Sequence, residues 1–573
     1  MKSYQIILVP LFLVLAFQLK AQKEAIYDAT SIHHPLLSKN GMVSTQHMEA
    51  TKVGLEILEQ GGNAVDAAVA VGFSLAVVLP RAGNLGGGGF MLYHDNARNK
   101  TTAYNYREMA PAKAHRDMYL DADGNVDVQL ARMHHQASGV PGTVAGLLKA
   151  LEDHGNMTVE QVVAPAIRLA EEGFPITFDL ARLLKLYESR LRASSETEKI
   201  FYPSKTTYYE AGDTLRQLDL AWSLKQISKR GRDGFYKGEL AKRIAKDMSA
   251  NDGLIKRRDL AKYKVEVMEP VTGTYRGHEI ISMPPPSSGG IHLIQMLNIL
   301  EEFPIEEMGH NTGATIHTMA EAMKYAYADR SEHLGDPNFY DVPVEWITSK
   351  TYGKELSEKI STESATASED ISPGKPNDNE SDETTHFSVI DKNRNVVSQT
   401  YTLNFSFGNG IVAKGTGILL NNEMNDFSAK PGVPNAFGLL GGEANSIQPG
   451  KRPLSSMTPT IVLKDGEPYF VTGTPGGSRI ITTILQVVMN IIDHKMNVAE
   501  ATHASRIHHQ WYPEDLFIEG KGISMDTQKI LGSMGHSVKI RSVMGSTQTI
   551  MILDELLRGC SDPRRPDARI AGY

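Results

Sequence analysis

Asp382-Glu383-Thr384-Thr385-His386-Phe387-Ser388-Val389-Ile390 is the stretch on which the reading of this chain turns. Residues 361–383 are almost entirely Ser, Thr, Glu, Asp, Asn, Gly and Pro, with Ile371 the only large apolar side chain. A segment of that composition buries too little surface to offset the entropy of ordering it, so a disordered linker is expected over 361–383. The pattern then changes at once. Phe387, Val389 and Ile390 lead through the polar turn Asp391-Lys392-Asn393-Arg394-Asn395 into Val396, Val397 and Thr400-Tyr401-Thr402, the alternation of a β-hairpin.

A structureless segment feeding a buried strand in mid-chain is uncommon and points to function. One reading is that the chain is cut between Glu383 and Thr384. That would free an α-amine with an ordinary pKa of about 8 beside a threonine hydroxyl. The hydroxyl is a weak nucleophile until a base takes its proton, and an N-terminal Thr carries that base on its own backbone. The other reading is an exposed linker before an ordinary strand.

Composition bounds the rest. The chain has 573 residues, 41% hydrophobic and 22% charged, which is ordinary globular composition and room for two average domains or one large one. A formal net charge of −8 argues against nucleic acid or an anionic membrane surface as partner. Lys2, the apolar run from Ile6 to Phe17 and the polar Gln18-Leu19-Lys20-Ala21-Gln22 have the shape of a secretory signal over residues 1–22. The expected product is exported, periplasmic or secreted, and free of the membrane once the signal is removed. Cys560 is the single cysteine, so no internal disulfide and no cysteine-based metal site can form.

Helical spacing runs from Met48 to Leu58 and ends at Gly61-Gly62, and the apolar run from Ala64 to Leu79 reads as a helix buried in a core. Gly86-Gly87-Gly88-Gly89 then precedes the strand Phe90-Met91-Leu92-Tyr93. A phosphate-cradling loop follows a strand and opens a helix, the reverse of this order, so these glycines are read as allowing close backbone approach beside a site. A second strand, Thr101 to Tyr106, delivers Arg107, a candidate bidentate clamp for a carboxylate. From Ala131 to about Ile360 the pattern is mainly helical.

Beyond the hairpin, Glu423 and Asp426 stand close together with no Lys or Arg between them, which suits an ammonium ligand. The Gly/Pro-rich stretch from Pro431 to Gly442 reads as a loop able to cover a site. Thr460 to Lys464 and Tyr469 to Thr472 form a second hairpin, turning at Asp465-Gly466. It runs through Pro475-Gly476-Gly477-Ser478 into an amphipathic helix marked by Ile480, Ile484, Val487, Val488 and Ile491. Free N–H groups at Gly476 and Gly477 are candidates to stabilise an oxyanion, the other reading being a plain helix start.

Five motifs, in order, resemble the γ-glutamyltransferase (γ-glutamyl transpeptidase) family of N-terminal nucleophile hydrolases. They are Tyr106-Arg107-Glu108-Met109-Ala110-Pro111, Thr384-Thr385-His386-Phe387-Ser388, Asn421-Asn422-Glu423-Met424-Asn425-Asp426-Phe427-Ser428, Pro453-Leu454-Ser455-Ser456-Met457 and Thr474-Pro475-Gly476-Gly477-Ser478-Arg479. The resemblance covers nearly the whole mature chain. It implies an α+β fold, a four-layer αββα sandwich. It also implies a precursor that cuts itself into a large subunit, 23–383, and a small subunit, 384–573, which together make one interleaved domain.

In that picture Thr384 is nucleophile and, through its amine, base. Thr402 hydrogen-bonds the nucleophile, and Gly476 and Gly477 form the oxyanion hole. Arg107, Ser455 and Ser456 hold the α-carboxylate of a γ-glutamyl donor, and Asn404, Glu423 and Asp426 hold its α-ammonium. The implied substrates are glutathione and related γ-glutamyl amides, with water, amino acids or peptides as acceptors, and no cofactor or metal is called for. Two positions depart from the family pattern: Glu423 where Gln is frequent, and Phe437 where bacterial members often carry Tyr. Both bear on the balance of hydrolysis to transfer. The alternatives are a related glutaryl or cephalosporin-type acylase, and an unprocessed, non-catalytic exported binding protein.

Overall fold

The computed structural model describes residues 31–372 and 384–573 apart from Pro434 and Phe437. The expected signal over 1–22, Glu383 and Phe437 lie outside the described residues. Residues 35–573 form one compact unit.

The hairpin is present as read. Strand Thr385–Ile390 pairs antiparallel with Val396–Thr402, in a register running from Thr385 opposite Tyr401 to Ile390 opposite Val396. Its turn is organised by Asp391, whose carboxylate accepts from the backbone N–H of Asn393 at 2.8 Å and Asn395 at 3.1 Å. The same carboxylate accepts from Ala64 N at 3.0 Å, which ties the turn to the start of helix Ala64–Val78.

The hairpin lies at the centre of a seven-stranded sheet in the order Arg569–Gly572, Met42–Thr45, Thr385–Ile390, Val396–Thr402, Gly88–Asp95, Lys100–Asn105, Glu266–Met268. A second seven-stranded sheet runs Leu36–Ser38, Leu556–Ser561, Gln548–Leu553, Glu467–Thr472, Thr460–Lys464, His278–Ser282, Val271–Tyr275. Strand residues alternate faces. Phe387, Val389, Val397 and Tyr401 therefore pack with helices Met48–Glu59 and Ala64–Val78 on one side. On the other side Ile390 and Val396 meet Ile461, Leu463, Val471 and Ile550 of the second sheet. The far face of that sheet packs on helices Gly289–Leu300, Gly313–His333 and Arg479–Ile492. Helices, sheet, sheet, helices: this is the four-layer αββα sandwich that the sequence led us to expect.

The layer between the sheets is partly polar beside the hairpin. Ser44 Oγ donates to Gln548 Oε1 at 2.7 Å, Ser388 Oγ to Gln548 O at 2.8 Å and Ser398 Oγ to Thr472 O at 3.1 Å. His386 stands within hydrogen-bond distance of Thr400 Oγ1 and Ser388 Oγ, at 2.8 and 3.1 Å. Burial pushes its pKa down to about 3, so the ring is neutral. These bonds satisfy polar groups inside a dry layer and so fix how the two sheets sit on each other.

The glycines Gly86 to Gly89 are required by close approach. A Cβ at Gly87 would lie 2.0 Å from Thr402 O, and one at Gly88 2.6 Å from Glu108 Oε2.

Two expectations need correction. Besides the two-residue strands Phe174–Pro175 and Thr214–Leu215, the stretch from 131 to 360 holds Glu266–Met268, Val271–Tyr275 and His278–Ser282, which complete an edge of each sheet. They are interrupted by Pro270 and by a tight turn at Arg276-Gly277, so no alternating run is long enough to reveal them. Helix Arg479–Ile492 has the one-sided apolar pattern read from the sequence, and it is buried over its whole length, polar side included. Its polar side is occupied: Thr482 Oγ1 lies 2.8 Å from His508 Nδ1, and Gln486 Nε2 donates to Ile507 O at 2.9 Å.

The second correction concerns the linker, whose backbone is held in place over 361–371. His317 Nε2 lies 2.6 Å from Ser361 O, Lys324 Nζ donates to Thr366 O at 2.6 Å, and Thr366 N donates to Glu321 Oε2 at 3.1 Å. Trp511 Nε1 donates to Ser368 O at 2.9 Å, and Ile371 is in the core. Buried polar side chains from distant elements supply the partners that the segment's own composition lacks. The rest of the linker, 373–383, lies outside the described residues.

Gly473 follows strand Glu467–Thr472, and a Cβ there would stand 2.2 Å from the His386 ring. Gly473→Ala is expected to cost about 1–3 kcal/mol of stability through overpacking, read by chemical denaturation. Because His386 is two residues from Thr384, backbone cleavage should slow as well, read by gel electrophoresis over time. A variant of unchanged stability would show that the sheets part freely at this point.

Candidate active site

Thr384 immediately precedes the first hairpin strand and Thr402 ends the second, so the antiparallel pairing sets the two side by side at one end of the sheet. Thr402 Oγ1 accepts from Asn404 N at 2.8 Å, and Thr402 O accepts from Asn84 Nδ2 at 2.9 Å. Asn404, at φ +75°, donates from its side-chain amide to Asn422 O at 3.0 Å.

Asn421 pins the turn that follows. Its amide donates to Gly86 O and Gly139 O at 2.7 and 2.8 Å, and its oxygen accepts from Glu423 N at 3.0 Å. The 3₁₀ turn Glu423–Asp426 is thereby held against Arg107, two residues beyond strand Lys100–Asn105. Arg107 is gripped from a second side by the backbone before the paired serines: Nε donates to Pro453 O and Nη2 to Leu454 O, both at 3.3 Å. Ser455 is fixed through its backbone, which donates to Pro286 O at 2.9 Å and accepts from Ser288 N at 2.8 Å.

Thr384, Thr402, Asn404, Arg107, Glu423, Asp426, Ser455, Ser456 and Gly477 all line one cavity. Seven residues drawn from the five separated motifs thus converge on one place with Thr402 and Asn404 at the end of the hairpin. Gly476 adjoins this wall without lining it. The two glycines adopt φ +140° and +55°, values in which a side chain is strained. Neither N–H takes part in a hydrogen bond among the described residues. From the covering loop, Asn435 and Leu439 reach the cavity, in keeping with a loop that closes over a site. The cavity itself is only about 30 Å³, room for about one water.

It is small because Arg107 fills it. The local sequence places no cation between Glu423 and Asp426, but the fold does: Arg107 Nη1 pairs with Glu423 Oε1, Nη2 with Asp426 Oδ2, and Nη1 lies 3.6 Å from Glu108 Oε2. The expected separation into a cationic and an anionic cluster is corrected to one mixed cluster. Arg107, Glu108 and Glu423 are 1% exposed or less. Burial opposes charge on Arg107, and Glu423, Asp426 and Glu108 more than offset it, so the guanidinium stays charged. Burial pushes the carboxyl of Glu108 up to about 7 and raises Glu423 and Asp426 above the usual carboxylate range. Glu423 Oε2 and Asp426 Oδ1 find no hydrogen-bond donor among the described residues. One cation facing three buried carboxyls leaves acceptor capacity suited to a second cationic group.

Arg330, which the motif reading missed, also lines the cavity. It sits in the last turn of helix Gly313–His333, among buried residues on every side, so no periodic pattern marks it.

Among proteins of known family, the description "Gamma-glutamyltranspeptidase" matches residues 50–572. The chain is 54% identical over 543 residues to the glutathione hydrolase proenzyme of Escherichia coli K12, covering 95% of this chain and 93% of that one. It is 38% identical over 520 residues to the Acylase ACY 1 proenzyme of Pseudomonas sp. strain SE83, 89% of each. The crystal structure of cephalosporin acylase from Bacillus halodurans superposes with a TM-score of 0.84 at 29% identity, over 96% of this chain and 99% of that one.

Buried carboxyls with raised pKa values bind protons more tightly folded than unfolded, so their effect on stability turns unfavourable as pH rises from the ordinary carboxylate range through the raised values. Glu423→Gln removes one of them. The melting temperature of the variant relative to the unsubstituted protein should therefore rise between pH 5 and pH 8. A difference that stays constant across that range would mean that Glu423 is ionised throughout.

Proposed function

The chain belongs to the gamma-glutamyltranspeptidase family, and on that premise we propose that it acts through Thr384 as an N-terminal nucleophile. The protein is an autoprocessing γ-glutamyltransferase and glutathione hydrolase. Attack of Thr384 Oγ on the Glu383 carbonyl moves the acyl group from nitrogen to oxygen. Water then hydrolyses that ester, which leaves the large subunit ending at Glu383 and the small one beginning at Thr384.

The freed amine takes the proton as Oγ adds to the γ-carbonyl of a donor. The negative oxygen of the tetrahedral species falls to the Gly476 and Gly477 N–H groups, which make no other hydrogen bond among the described residues. Collapse expels the donor's amine, which leaves with the proton, and a γ-glutamyl-Thr384 ester remains. Water resolves the ester in hydrolysis, and the amine of an amino acid or peptide resolves it in transfer. Asn404 N donating to Thr402 Oγ1 fixes that hydroxyl beside the nucleophile.

The observation that carries this reading is the mixed charge cluster against Thr384. The donor's head is a zwitterion. Its ammonium takes the unfilled oxygens of Glu423 and Asp426, and its carboxylate takes Arg107, Ser455 and Ser456. A glutaryl donor has no ammonium and would leave two carboxyls facing its chain unmatched, which favours the glutamyl reading over the acylase one. Export to the periplasm or the medium rests on the N-terminal composition. Among the described residues no helix is long and apolar enough to cross a membrane.

Intact mass and N-terminal sequencing should give two chains, one beginning at Thr384, and Thr384→Ala should remain a single inactive chain. Restoring the small subunit with Ser at 384 should recover cleavage at a reduced rate, since the hydroxyl and the amine are kept. A wild-type chain that remains whole, and that binds γ-glutamyl amides without turning them over, would replace this reading with the binding-protein one.

A further inference from the structure

Arg330 is a buried cation with no carboxylate in direct contact; the acidic group whose field reaches it is Asp426, which is already paired with Arg107. Arg330 is 5% exposed, and among the described residues it enters no ion pair. Its hydrogen bonds go to hydroxyls: Nε donates to Ser288 Oγ at 2.9 Å and Nη2 to Ser456 Oγ at 3.2 Å. Leaving a guanidinium buried against neutral partners is costly, because hydroxyls replace little of the solvation it gives up. Burial accordingly lowers its pKa to about 10, which still leaves it charged at neutral pH.

Its neighbour shows the opposite imbalance. Arg107 faces Glu423, Asp426 and Glu108 and has its two Nη groups committed to the first two. A donor carboxylate that relied on Arg107 alone would compete with both. Arg330 lines the same cavity, has made no such commitment, and already touches Ser456, one of the paired serines. The helix holding it is anchored there one turn earlier, where Tyr327 Oη donates to Ser478 O.

We infer that Arg330 is a second guanidinium of the donor site, and that the α-carboxylate of the γ-glutamyl group is held between Arg107 and the Arg330–Ser456 pair. This rests on the function proposed above. When the donor's ammonium takes over Glu423 and Asp426, Arg107 turns from them to the carboxylate, and Arg330 supplies the charge that makes the exchange balance. The cluster's surplus of carboxyls on one side and its unmatched cation on the other become matched only by a ligand carrying both charges. Specificity for an α-amino acid head over an acid lacking either group then follows from two residues on different elements. Arg330 is thus a specificity-determining residue, acting on the part of the donor that does not react.

The test compares γ-glutamyl-p-nitroanilide with 4-aminobutyryl-p-nitroanilide, which lacks only the α-carboxylate, in the mature enzyme and in Arg330→Gln. Loss of a charge-assisted hydrogen bond should raise KM for the glutamyl donor by about tenfold to a hundredfold with a smaller change in kcat. The 4-aminobutyryl donor should be nearly unaffected, so the preference between the two collapses. Arg330→Lys keeps the charge without the fork and should fall between, and it carries the same comparison if the Gln variant fails to process. Equal slowing of both donors, or a preference unchanged in either variant, overturns the assignment and leaves Arg330 as a support for Ser456. Wild-type enzyme that cleaves neither anilide would instead overturn the proposed function.

Discussion

The structure depends on a strand pair that is buried on both faces. Residues 385–402 form the middle of one sheet, with helices packed on one side and a second sheet on the other. A strand in that position cannot shift register by one residue without turning Phe387 and Val389 into the polar interlayer and His386 into the helix layer. The hydrogen bonds from Ser44, Ser388 and Ser398 across to the second sheet lock it further. Thr384 and Thr402 therefore stand at a defined end of a rigid element, and the turn carrying Gly476 and Gly477 comes from the sheet behind it. Rigid support of this kind is what a nucleophile and the groups around its reaction centre need.

Around that end the fold concentrates charge that the interior would otherwise exclude. Two guanidiniums and two carboxyls line one small cavity, with Glu108 beside Arg107, and each is tolerated because another is near. The arrangement is imperfect in a specific way. Arg107 faces three carboxyls, Arg330 has none in direct contact, and carboxyl oxygens of Glu423 and Asp426 remain without donors among the described residues. Such strain in a buried polar network is what a zwitterionic ligand relieves, so recognition and the cost of assembling the site have the same origin. Glu423 adds to this. A neutral amide there would take one carboxyl out of the cluster.

The segment ahead of Thr384 is organised by its neighbours. His317, Glu321, Lys324 and Trp511 hold the backbone of 361–371. Under the proposed cut before Thr384, the large subunit is anchored at 361–371 by groups that lie on the face of the second sheet away from the first. Cleavage can then release one end of the chain without freeing the strand that follows it.

By itself the sequence determined the hairpin, its partner at 460–472, the buried helix over Ala64–Val78 and nine of the residues that meet in the cavity. These are local facts: alternation shows in a strand however it is packed, turn residues mark their own turns, and the five motifs keep their order along the chain. What the tertiary structure alone decided is which of those residues face one another. Arg107 lies 316 positions from Glu423 in the chain, yet the two are paired, and no reading of the Glu423–Asp426 neighbourhood could supply that cation. Arg330 left no trace because a helix buried on all sides has no polar face to break the pattern. The linker over 361–372 looked unstructured because its composition offers no core of its own, while the groups that order it come from elsewhere in the chain. Local periodicity reports backbone conformation, but charge pairing and burial depend on contacts between distant segments, which exist only once the sheets have stacked.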